Sequence, residues 1–175
     1  MKKKILSLWS ILLVITLMAT PASAGPGIKL SGGADSVQWE IGSLIAKGAL
    51  IVGNTDVVVV LQAGGRPDVT CTNQGNSPAP GQNPPNLSAT GAQVLQERTK
   101  NGKSPFDVTA SPPETLPGSQ GGCPNDNWSA HIDFVYWDNA TIIVTNLALD
   151  TILLVQHYTC KTTRYPAPTV TCTPK

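Results

Sequence analysis

Trp128-Ser129-Ala130-His131-Ile132-Asp133-Phe134-Val135-Tyr136-Trp137 is the stretch on which the fold turns. Trp128, Ala130, Ile132, Phe134 and Tyr136 alternate with Ser129, His131, Asp133, Val135 and Trp137. A period of two marks a half-buried strand, because successive side chains leave a pleated backbone on opposite faces. Asp138-Asn139 offers turn residues, and Ala140 to Thr145 reads as the returning strand.

Similar signals extend in both directions. Toward the N-terminus, strands are predicted over Val37 to Ser43, Leu44 to Val52, Asp56 to Ala63, Asp68 to Thr72, 89–97 and 104–110. Within them, Val57-Val58-Val59-Val60-Leu61 is a continuous apolar run that predicts burial on both faces. Gly64-Gly65 predicts its end. Lys100-Asn101-Gly102-Lys103 predicts a tight hairpin between the strands on either side. Toward the C-terminus, Leu149 to Cys160 and Thr169 to Cys172 complete the set. Two breaker-rich segments, 73–86 and 111–127, read as loops, and loops that long are often functional. Short strands at close spacing, with no amphipathic helix, predict an all-β fold, an immunoglobulin-like β-sandwich with a β-barrel as the alternative.

Residues 1–24 have the composition of a cleaved secretory signal. Lys2, Lys3 and Lys4 precede an apolar run of about 14 residues, Ile5 to Met18, and Ala22-Ser23-Ala24 supplies small residues at the cleavage point. The run is shorter than the roughly 20 residues that span a bilayer. No lipobox cysteine and no sortase string follow, so no membrane anchor is expected after cleavage. The mature product is then a single secreted domain, 25–175. Twelve Lys and Arg stand against eleven Asp and Glu, a formal net charge of +1, and loss of the three lysines leaves −2. A charge that small steers the protein toward neither nucleic acid nor an anionic membrane.

Export decides how the cysteines are read. Cys71, Cys123, Cys160 and Cys172 form an even set in an oxidising compartment, which predicts disulfides. Arg164-Tyr165-Pro166-Ala167-Pro168 lies midway between Cys160 and Cys172 and is a natural reversal point. Folding there sets those two cysteines opposite each other and leaves Cys71 to pair with Cys123 across a long loop. No C-x-x-C spacing supports zinc.

The strings Val69-Thr70-Cys71-Thr72-Asn73, Ala79-Pro80-Gly81-Gln82-Asn83-Pro84-Pro85 and Cys123-Pro124-Asn125, with Asn127-Trp128, resemble uncharacterised secreted bacterial all-β proteins over most of residues 40–145. The resemblance implies export and a β fold. It implies no activity and no site.

The sequence singles out no catalytic group and no cofactor motif. Ser129, His131 and Asp133 are hydrolase residue types, but on one strand they stand parallel about 7 Å apart, not convergent. A small secreted hydrolase is therefore the least supported function. His131 and Asp133 reach a metal-ligand set only if a neighbouring strand adds His157. The leading expectation is a non-catalytic secreted protein acting by surface recognition or as an envelope component. Its contact residues are sought in the loop that carries Asn73, Gln82 and Asn83. The alternative is a carbohydrate-binding module that stacks sugars on Tyr136 and Trp137. Expected partners are thus an extracellular protein or a polysaccharide. Sequons occur at Asn86, Asn127 and Asn139.

Overall fold

The computed structural model describes residues 27–96 and 101–175, so the expected signal segment 1–24, Glu97 and Lys100 lie outside the described residues. In chain order the strands are β1 (Lys29–Leu30), β2 (Gln38–Glu40), β3 (Leu44–Ile51), β4 (Val57–Thr72), β5 (Pro78–Pro80) and β6 (Leu87–Leu95). They continue with β7 (Lys103–Ala110), β8 (Thr115–Pro117), β9 (Ser129–Asn146), β10 (Ile152–Thr163) and β11 (Thr169–Pro174). The described residues contain no α-helix, only two short 3-10 turns. A smaller antiparallel sheet runs β1-β3-β2 with β7 on β3. A larger one runs β11-β10-β9-β4-β5, with β6 also on β4 and β8 on β9. Leu44, Leu50, Phe106 and Val108 of the first sheet share one core with Val59, Leu61, Trp137, Ile142 and Tyr158 of the second.

The 16-residue strand β4 and the 18-residue strand β9 form the centre of the larger sheet. Neither ends where turn chemistry predicts. Gly64-Gly65 does not break β4, whose odd-numbered residues from Val57 to Cys71 all point inward. Asp138-Asn139 is not a turn, and Ala140 to Thr145 is no returning strand but the second half of β9. Instead β9 carries two bulges. Asp133 is skipped between the pairs Asp68↔Phe134 and Val69↔Ile132, and Asp138 between Gly64↔Asn139 and Gly65↔Trp137. Each extra residue reverses which side chains face the core. The inward set is therefore Ala130 and Ile132, then Val135 and Trp137, then Ala140, Ile142 and Val144. Gly65 sits at the second bulge because the strands close up there: a Cβ would lie 2.6 Å from the Tyr136 carbonyl oxygen. The ladder between β10 and β9 stops at Thr159↔Asn139, which frees the backbone of Trp137. Thr162 satisfies it, its Oγ1 accepting from Trp137 N at 2.9 Å and donating to Trp137 O at 3.1 Å.

Three further expectations change. The valine run is buried on one face only: Val57, Val59 and Leu61 are in the core, while Val58 and Val60 are half-buried on the outer face. The Asn-Gly turn does not close a hairpin, since β6 pairs with β4 and β7 with β3, in different sheets. The two strands instead face each other across the layers and come closest at Gly91, where a Cβ would clash with the Thr109 carbonyl oxygen at 1.8 Å. The two loop segments are also partly regular, with β5 inside 73–86 and β8 plus a 3-10 turn inside 111–127. Pro78 and Pro80 fit β5 because it lies at the sheet's edge, where a missing N–H costs no ladder bond.

Both disulfides form as the spacing predicts. Cys160 and Cys172 are register partners on β10 and β11, Cα to Cα 4.0 Å, and Cys71 joins Cys123 at 5.7 Å.

Candidate functional site

The Cys71–Cys123 bridge ties together the segments that follow β4 and precede β9. Around it Val69, Cys71, Cys123 and Ala130 make a small second core, flanked by Leu116, Trp128 and Ile132. Asn73 opens the β4–β5 turn, and its Oδ1 accepts from the backbone N–H groups of Gly75 and Ser77, both at 2.9 Å. This is the local bonding that Asn side chains offer in turns. Asn125 works the same way across the gap, accepting from Asn127 N at 3.0 Å. Asp126 accepts from Ser119 N at 2.9 Å and from the Ser119 hydroxyl. That pair of bonds, the hydroxyl first, holds its carboxyl below the usual 3.8. Gln82 N donates to Gly122 O at 2.9 Å and stitches the two loops directly. Gly122 has a φ of +75° and leaves no room for a Cβ against Gln82 O, 2.3 Å away.

Asn73, Gln74, Gly75, Asn125, Asn127 and Trp128 line a shallow recess of about 290 Å³ between these segments. With their Oδ1 atoms engaged, Asn73 and Asn125 keep their Nδ2 groups as remaining donors. The recess thus sets neutral amides beside a half-buried indole. Such a lining can hydrogen-bond a neutral polar ligand and pack against its apolar face. It offers no acid–base pair.

The other predicted residues separate. Gln82 and Asn83 are exposed on the stitched loop but outside the recess. Trp137 is fully buried and belongs to the core. The bulge at Asp133 is the physical reason, because it turns Val135 and Trp137 inward and Phe134 and Tyr136 outward. Tyr136 is half-buried on the outer face, edge-on to Phe134 with centroids 5.0 Å apart. Arg164 lies 5.3 Å from the Phe134 centroid and 5.7 Å from that of Tyr165, and pairs with Asp68. Tyr165 was missed by the sequence reading, although its place in the Pro-flanked reversal signals an exposed ring; it is 77% exposed.

Ser129, His131 and Asp133 do not converge. Asp133 accepts from Thr70 Oγ1 at 2.6 Å. His157 lies beside β9 as the metal reading requires, but opposite Thr141, whereas His131 pairs with Thr70. Ten residues of strand separate those positions, about 30 Å. Among the described residues no cluster of three His, Cys, Asp or Glu could hold a metal ion. Asn86, Asn127 and Asn139 are all exposed. Comparison of the chain with protein-family models, with curated proteins and with solved structures returned no match.

Proposed function

We propose that the protein is an exported, non-catalytic recognition protein of the extracellular space or cell envelope. Its two sheets are read as an immunoglobulin-like sandwich whose contact surface is the loop end tied by Cys71–Cys123. One observation carries this reading: two solvent-facing loops are fixed by a disulfide, the Gln82–Gly122 bond and the Asn73, Asn125 and Asp126 turns. Fixing exposed loops in advance lowers the entropy cost of binding. The two disulfides suit an oxidising compartment. The neutral lining favours an extracellular protein or an uncharged polysaccharide over a charged ligand.

Export is tested by sequencing the N-terminus of the secreted product, expected to begin at Gly25. Recognition is tested by retention of the protein on its source cells and on insoluble neutral polysaccharides. Replacing 74–76 and 125–127 with Gly and Ser should abolish retention while the fold survives; a variant that keeps every partner would refute the assignment.

A second reading has its own support. The exposed Tyr165, with Tyr136, Phe134 and the fixed Arg164, supplies a stacking surface for sugar rings in place of the buried Trp137. Here Tyr165→Ala abolishes polysaccharide retention and Trp128→Ala leaves it unchanged. The opposite pattern favours the loop end.

A further inference from the structure

We propose that the outer face of the larger sheet is a self-association surface that packs against the same face of a second copy. The register lays four strands side by side there. The row nearest the β9–β10 turn is Ile152, Thr145, Val58 and Val94, and the next is Val155, Ile143, Val60 and Ala92. Two further rows contain only Ser, Thr, Asn, Gln and His side chains and Gly64, with Thr141 Oγ1 and His157 Nδ1 in contact at 3.0 Å. No position in the four rows is Asp, Glu, Lys or Arg.

Apolar exposure is concentrated at one end of this face. Val94, Ile152 and Val155 are 52%, 50% and 43% exposed, and the adjoining turn adds Leu147 at 43% and Leu149 at 70%. Single exposed apolar side chains are ordinary, but a contiguous patch marks a contact surface. The outward valines of the run 57–61 are part of it, which explains why that run reads as doubly buried.

The absence of charge selects the occupant. A charged partner would lose solvation here with nothing to pair against, whereas a second copy brings an equally uncharged face. Sheet faces pack about 10 Å apart with interdigitating side chains. Four strands about 4.8 Å apart and four rows about 6.8 Å apart give a plan area of about 500 Å² per copy. Two copies then cover roughly 1,000 Å², the lower limit of a specific interface. A weak, reversible dimer follows. Asp150, beside Leu149 in the turn, opposes anionic headgroups and argues against an anionic membrane as occupant.

Sedimentation velocity on the exported, oxidised protein from about 1 to about 500 µM provides the test. A concentration-dependent dimer is expected. Val155→Glu and Val94→Lys, at positions half-exposed in the single chain, should each raise the dissociation constant at least tenfold with circular dichroism unchanged. Gln38→Glu on the smaller sheet should not. A monomer across the whole range overturns the proposal. So does a dimer indifferent to both face variants, or a monomer that binds phosphatidylcholine vesicles through the same residues.

Discussion

Asp126 is exposed, yet its carboxylate accepts from both the backbone and the hydroxyl of Ser119. Those bonds favour the ionised form and lower its pKa from 3.8. A depressed folded value contributes stability above the ordinary carboxylate range and loses it as pH falls through the folded value. Asp126→Asn should therefore lower the melting temperature near neutral pH, and the gap to wild type should close on acidification. Equal gaps at neutral and acid pH in a melting series would contradict this. Tyr158 shows the opposite sign. Burial, reinforced by the charge of Asp35, pushes its hydroxyl up from 10.0 to about 12. Its hydroxyl donates to Ala34 O at 3.2 Å, and its ring meets Trp39 edge-on at 4.9 Å. Below pH 10 the folded and unfolded forms are both protonated. Between 10 and about 12 only the unfolded form ionises, so stability falls as pH rises. Tyr158→Phe lacks that component, and urea denaturation should show the wild-type advantage shrinking across this window.

At the scale of the element, the bulges carry more than the ion pairs beside them. Arg66 and Asp138 form a two-pronged bridge at 3.1 and 3.3 Å, but Arg66 is exposed and Asp138 about half exposed. Exposed pairs are worth at most about 1 kcal/mol, so Asp138→Ala should cost little. Deleting Asp138 is different. It removes the phase reversal and forces either Trp137 and Val135, or Ala140, Ile142 and Val144, onto the outer face. Exposing several core side chains costs roughly 2 kcal/mol each, and the deletion should yield insoluble protein where the substitution yields folded protein. The same bulges mark where the sequence stopped being legible. Alternation in 128–137 correctly signals a strand, and Cys160–Cys172 follows from spacing alone. The phase of Trp137 was not readable, because an extra residue is defined only against a partner strand. Gly64-Gly65 and Asp138-Asn139 misled for one shared reason: Gly and Asx residues serve a bulge as well as they serve a turn. At the candidate site, Asn73 could be picked out from its loop, but its neighbours Asn125, Asn127 and Trp128 reach it only through the Cys71–Cys123 bridge and the paired strands. Spacing could propose that bridge; it could not supply the recess.

For the whole molecule, the bridges differ in what they hold. Cys160–Cys172 spans 12 residues and joins two strands already in register, whereas Cys71–Cys123 spans 52 and joins the loop ends. In the chain-entropy account these closures contribute about 3 and about 4 kcal/mol. The larger effect is spatial. β10 and β11 are held by six register pairs besides being cross-linked, so the double Ala variant at 160 and 172 should unfold at lower denaturant and keep its native contacts. Around Cys71 and Cys123 the second core has only four buried residues. Removing that bridge leaves a core too small to order the loops, and Gly122 and Gln82 lose their fixed approach. The variant Cys71→Ala with Cys123→Ala should thus cost about 1 kcal/mol more than the other pair. It should also raise amide exchange at Gln82, Cys123→Ala and Asn127 ahead of global unfolding, while β4 near Leu61 stays protected. Hydrogen exchange read by mass spectrometry separates the cases. Uniform loosening of both sheets would mean that the loop end is not an independently stabilised unit, and a recognition surface placed there would lose its physical basis.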